Sequence, residues 1–113
     1  MKLLLDENLP KKLKINFPEH EIYTIWDKGW NGIKNGKLLQ LLISEHFDAL
    51  LTFDKNLQYQ QNFKKYTITV FVLSASINTY SELSKLSPEI IQYLEEGKLT
   101  PGPIIINADR SKS

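Results

Sequence analysis

The sequence contains no cysteine. That removes disulfide frameworks, thiolate nucleophiles, zinc ribbons and iron–sulfur clusters, and it accords with a reducing, cytoplasmic setting. Histidine is scarce as well: His20 and His46 are the only two, too few for a three-histidine metal site within one chain. Of the 14 basic residues only Arg110 is an arginine, so bidentate guanidinium forks for phosphates or base edges are nearly absent. No apolar run approaches the length of a membrane span. Lys2 and the three leucines after it are too short an apolar stretch for a signal peptide. An excess of charge is also missing. The 14 basic and 13 acidic residues leave a net charge of +1, which excludes a polyanion binder with a uniformly basic surface.

What is present describes one ordinary globular domain over residues 1–113, 42% hydrophobic and 24% charged, with enough chain for a single core. Any chemistry falls to carboxylates, amides, hydroxyls and lysines. Lys2–Leu5, Glu21–Trp26, Ala49–Phe53, Thr67–Leu73 and Ile104–Ile106 read as strands, short and apolar or β-branched. Between them, helices are expected from Leu9-Pro10 through about Asn16, over Lys37–His46, over a polar Lys55–Asn62, and over Tyr80–Leu86 and Pro88–Glu96. Pro10 suits a first helical turn and Gly97 a helix end. Glycines and asparagines crowd Asp27–Gly36 into a loop. Pro101-Gly102-Pro103 turns the chain into the last strand, and Arg110–Ser113 is a frayed tail. Continuous apolar strands alternating with helices predict a three-layer α/β sandwich around a mostly parallel sheet of four or five strands.

In such a sheet ligands bind outside the carboxyl ends of the strands, where the strand order reverses. Two strands run into acids there: Leu3-Leu4-Leu5-Asp6-Glu7-Asn8 and Leu50-Leu51-Thr52-Phe53-Asp54. If they are parallel neighbours, Asp6 and Asp54 share a rim, Glu7 and Asn8 extend it, and Asn35 is placed to reach it. Clustered carboxylates invite a hard divalent cation, Mg²⁺ or Mn²⁺, and such an ion supports phosphodiester hydrolysis. The same residues also read as helix caps, since Asp54 and the Asp6–Asn8 segment each precede an expected helix. The two roles are compatible, because a capping carboxylate keeps an oxygen to offer outward.

Ser74, Ser76 and Asn78 follow the fourth strand and either face the rim or make a turn and a cap. Lys11, Lys12, Lys14, Lys34, Lys37 and Lys55 flank the rim loops, as point charges for phosphate or as solvated helix faces. Trp26 and Trp30 bracket the glycine-rich loop, as core packing or as base-stacking surfaces. Neither histidine is assigned a catalytic role.

The opening Lys2-Leu3-Leu4-Leu5-Asp6-Glu7-Asn8-Leu9-Pro10 resembles the N-terminus of the compact PIN-like nucleases related to the VapC-type toxins of toxin–antitoxin pairs. The likeness continues in Gly29-Trp30-Asn31-Gly32, Leu51-Thr52-Phe53-Asp54-Lys55-Asn56-Leu57, Gln60-Gln61-Asn62 and Pro101-Gly102-Pro103, and so covers Lys2 to about Ile106. The resemblance implies a PIN-like fold and a Mg²⁺- or Mn²⁺-dependent ribonuclease. Asp6 and Asp54 match the first and last acidic metal positions, and Glu7 the acidic neighbour. The family's acidic residue in the loop opening the second long helix is replaced here by Asn35, an oxygen donor without charge. The partners so implied are RNA, a small antitoxin protein and a second copy of the chain, with no membrane.

Two other readings compete. A phospho-receiver signalling domain shares the length, the acidic pair after the first strand and the aspartate after the third, with Ser74 in place of its hydroxyl residue. Its lysine–proline at the end of the fifth strand has no counterpart, since Lys98 and Pro101 precede that strand. A catalytically weakened PIN-like module that binds a protein partner is the other, favoured by Asn35.

Overall fold

Leu3-Leu4-Leu5 and Ala49-Leu50-Leu51 are apolar at every position, so a strand made from either exposes apolar side chains on both faces and needs cover on both. The computed structural model, which describes residues 1–33, 35–54, 66–97 and 99–108, meets that need by placing them at the centre of a five-stranded, all-parallel sheet. The strands are β1 (Lys2–Leu5), β2 (Glu21–Thr24), β3 (Ala49–Thr52), β4 (Thr69–Ser74) and β5 (Gly102–Asn107), in the order β2-β1-β3-β4-β5. The inner strands β1, β3 and β4 are almost wholly buried, while β2 and β5, at the edges, mix buried and exposed positions. Pro103 lies on edge strand β5, where a missing N–H is tolerated.

Helices cover both faces. One face packs Leu3, Leu5, Leu51, Phe71 and Leu73 against Leu9, Leu13, Phe17, Leu83, Leu86, Ile90 and Leu94. Its cover is a 3₁₀ helix η1 (Lys11–Asn16) and the continuous run α3 (Tyr80–Leu83), η2 (Ser84–Leu86) and α4 (Ser87–Glu96). The other face packs Leu4, Leu50, Val70 and Val72 against Ile25, Leu38, Leu39 and Leu42, from α1 (Ile25–Lys28) and α2 (Asn35–Ser44). The expected three-layer α/β sandwich is what forms.

Several boundaries differ from expectation, each for a local reason. The second strand stops at Thr24, not Trp26. The Thr24 Oγ1 accepts the Asp27 N–H at 3.1 Å and Asp27 Oδ2 accepts the Thr24 N–H at 2.8 Å, a reciprocal cap that starts a helical turn. Gly29, at φ +71°, ends that turn in a conformation that glycine adopts without strain. Asp27 and Lys28 are therefore helical rather than loop, and α2 begins at Asn35, two residues before Lys37. The expected first helix is a 3₁₀ turn confined to Lys11–Asn16. The fourth strand runs Thr69–Ser74, and Gly102 and Pro103 already belong to β5. The expected helix Lys55–Asn62, the segment Gln60-Gln61-Asn62 and the tail Arg110–Ser113 lie outside the described residues.

The connections differ in hand. β1 to β2 steps one way along the sheet under the η1 face, and β2 to β3 steps back under the α2 face, so the two share a hand. β4 to β5 steps in the same direction as β2 to β3, yet its helices lie on the η1 face, where the Tyr80 hydroxyl donates to Asn16 Oδ1 at 2.8 Å. That crossover has the opposite hand, an uncommon arrangement in parallel sheets.

Candidate functional site

The strand order reverses between β1 and β3. The chain leaves β1 for β2 on one side and then returns to β3 on the other, which makes the carboxyl ends of β1 and β3 the switch point where open sheets bind ligands. Leu5 pairs with Leu51, and the Asp6 N–H donates to the Leu51 carbonyl at 2.9 Å. The two acid-bearing strands are therefore parallel neighbours in register, and Asp6 and Asp54 leave the sheet on one rim.

Asp6 is buried, 8% exposed. Its Oδ2 accepts the Thr52 hydroxyl at 2.8 Å and its Oδ1 accepts the Glu7 N–H at 2.8 Å. Burial pushes the Asp6 carboxyl up from its ordinary value. The bonds from Thr52 and Glu7 pull it part of the way back, and the negative charges of Glu7 and Asp54 push it up again. Asp6 thus lies within reach of two further acids at this rim, Glu7 exposed and Asp54 half-buried. The alternative role for Asp6, a cap on the first helix, does not form, because η1 has no side-chain cap.

Thr52 is the residue that sequence reasoning did not single out. Its hydroxyl is fully buried. It donates to Asp6, accepts the Asp54 N–H at 3.1 Å, and accepts Asn8 Nδ2 at 3.3 Å, which uses the whole capacity of a hydroxyl. The signal was a hydroxyl residue in an otherwise apolar buried strand, two positions before an aspartate. Asn8 completes the brace: its Oδ1 accepts the Phe53 N–H at 3.1 Å, and its carbonyl accepts Asn78 Nδ2 at 2.8 Å. The rim loops after β1, β3 and β4 are tied together by these amides.

The other candidates fall around this centre. Ser74 ends β4 on the same rim, and Ser76 is exposed beyond it. Thr79, not Asn78, caps the next helix, its hydroxyl accepting the Glu82 N–H. Lys11 and Lys12 are exposed on η1, Lys14 is paired with Asp27 at 2.8 Å, and Lys37 is exposed in the first turn of α2. Asn35 opens α2; Lys34 and Lys55 lie outside the described residues. Trp30 packs tilted against Phe47, with centroids 6.0 Å apart, whereas Trp26 is 43% exposed. The histidines sit at the opposite end of the sheet, His20 against the N-terminal amine at 3.1 Å and His46 just before β3.

Among the described residues no three histidine, cysteine, aspartate or glutamate side chains are gathered as a ready-made metal cage. The donors present fit a different kind of site. Mg²⁺ and Mn²⁺ take hard oxygen donors, and Mg²⁺ keeps several of its waters while binding through one or two carboxylates. Asp6 and Asp54 are donors of that type on one rim, and the charges of Glu7 and Asp54 add to the effect of burial at Asp6. Comparisons of the chain with protein-family models, with curated proteins and with solved structures find no match.

Proposed function

We propose that the chain is a Mg²⁺- or Mn²⁺-dependent ribonuclease, the toxin component of a type II toxin–antitoxin pair. The observation that carries this reading is the placement of Asp6, buried and under pressure from Glu7 and Asp54, at the switch point of the sheet. Asp6 and Asp54 would hold the ion, with Glu7 and Asn35 assisting directly or through water. Bound there, such an ion supplies an acidified water for attack on a phosphodiester and charge for the phosphoryl oxygens. Thr52 ties the carboxylate of Asp6 to the backbone N–H of Asp54. Glu7, exposed at the same rim, would take up the proton of the attacking water.

The test is cleavage of single-stranded RNA during Mg²⁺ or Mn²⁺ titration by wild type, Asp6→Asn and Asp54→Asn. Equal cleavage by all three rejects the assignment. Asn35→Asp is expected to tighten metal binding if Asn35 faces the site, and no change places it elsewhere. Absence of cleavage together with capture of a small partner protein would select the protein-binding module instead.

One observation favours the receiver reading: the strand order β2-β1-β3-β4-β5 is that of the flavodoxin-like sheet which receivers share. Two features oppose it. β5 ends in Ile106-Asn107 without the lysine, and the β4–β5 crossover has the opposite hand to the other described connections. Labelling of Asp54 by acetyl phosphate would revive this reading.

A further inference from the structure

We propose that Trp26, with Lys11 over its ring and Lys12 next along η1, is a stacking subsite for an unpaired base of single-stranded RNA beside the carboxylate rim. The inference rests on the reading of that rim as a ribonuclease site. Leu5 pairs with Thr24, so Asp6 and Ile25 emerge level from neighbouring strands and Trp26 follows at once. Strand spacing plus one residue puts the Trp26 backbone on the order of 9 Å from that of Asp6.

The η1 lysines divide by what neutralises them. Lys14 is paired with Asp27 at 2.8 Å. Lys11 Nζ lies 4.3 Å from the Trp26 ring centroid and Lys12 Nζ 4.8 Å from that of Tyr80, and among the described residues neither makes an ion pair. A second lysine–aromatic cluster shows what a closed version looks like. There Lys28 lies 5.4 Å from the centroids of both Tyr23 and Trp30. It is paired with Glu45 at 3.3 Å, and both rings pack on the core.

Trp26 has neither the packing nor the neutralising acid. Its indole is 43% exposed and carries an unpaired ammonium on its face. A base stacking there takes the place of the Lys11 ammonium, which is freed for the adjoining phosphate while Lys12 meets the next one. Two uncompensated cations also offset the repulsion that the rim acids exert on a polyanion. Only an unpaired base has a free face to offer, which selects single strands over duplex.

The experiment measures binding in EDTA, where cleavage is silent, by fluorescence anisotropy. The probes are a short labelled oligouridylate, duplex RNA of the same length, and polyglutamate. Trp26→Ala is expected to weaken oligouridylate binding by about 5- to 140-fold, and Trp26→Phe to restore most of it. Lys11→Gln and Lys12→Gln are each expected to flatten the salt dependence by about 0.7 in log–log slope. Thermal melts confirm that each variant is folded. Unchanged binding by Trp26→Ala overturns the proposal, as does duplex binding of equal strength and equal dependence on Trp26. Polyglutamate bound as tightly as RNA also overturns it and turns the surface into a dock for an acidic protein. Cleavage assays of Asp6→Asn and Asp54→Asn judge the rim separately, so loss of either reading is seen on its own.

Discussion

The two ends of the same sheet handle charge in opposite ways. At the amino end every acid named has a donor: Asp48 Oδ2 accepts the Lys2 N–H at 2.7 Å, and Glu45 pairs with Lys28 at 3.3 Å while its carbonyl accepts Lys2 Nζ at 2.8 Å. At the carboxyl end Asp6 is buried beside Glu7 and Asp54, and its own donors, a threonine hydroxyl and a backbone N–H, bring no positive charge. The first end is built for stability. The second buries a carboxyl next to two further acids, and burial is the main reason its proton is held.

The largest expected effect separates the two ends by activity. Asp6→Asn and Asp54→Asn should each lower RNA cleavage by ~10²-fold or more, beyond the 10–100-fold typical of outer-shell partners of a metal. The same Asp6→Asn protein, free of metal, keeps one acceptor oxygen for the two donors at Asp6, and its thermal melt reports that loss separately from activity. Thr52→Val should come next. It leaves Asp6 Oδ2 and the Asp54 N–H without the hydroxyl, at about 1–3 kcal/mol for each buried group left unpaired, measurable by urea denaturation, whereas Thr52→Ser should stay close to wild type. At the amino end Asp48→Ala removes one exposed acceptor and should cost about 0.5–1.5 kcal/mol. Glu45→Gln, on a partly exposed ion pair, should cost between 0 and about 1 kcal/mol.

Titration sharpens the contrast further. Burial holds the Asp6 carboxyl above its ordinary value, so the folded chain keeps a proton that the unfolded chain has released. Its contribution is complete below the ordinary carboxylate value and is lost as pH rises through the raised one. Asp27 is held low, first by the hydrogen bond from Lys14. Its contribution is present above the ordinary value and is lost as pH falls through the lowered one. Melting of Asp6→Asn and Asp27→Asn against wild type across the acidic range should therefore give differences of opposite slope. Parallel slopes would show that the two acids do not differ in this way.

Much of this was legible in the residues. The apolar runs at Lys2–Leu5 and Ala49–Leu51 announce buried parallel strands, and Asp6 and Asp54 stand where such strands end. The misplaced end of β2 shows where local pattern fails: Ile25 and Trp26 have strand-like side chains, but the reciprocal hydrogen bonds between Thr24 and Asp27 make a helical turn there. Thr52 escaped notice because its importance lies in three partners drawn from Asp6, Asn8 and Asp54. Two of these belong to a segment more than forty residues away in the chain.

By itself the sequence narrowed the side chains available for chemistry and determined the alternation of elements. Without cysteine and with only two histidines, sulfur donors and a three-histidine site are ruled out within the chain, and the periodicity of apolar residues is a local property that the chain displays directly. The tertiary structure alone decided that β1 and β3 are neighbours with β2 beyond, that the β4–β5 crossover reverses its hand, and that Trp26 is left exposed while Trp30 is packed. These depend on which buried faces complement each other across long stretches of chain. Strand pairing and packing are set by the whole core at once, not by the residues on either side of a position.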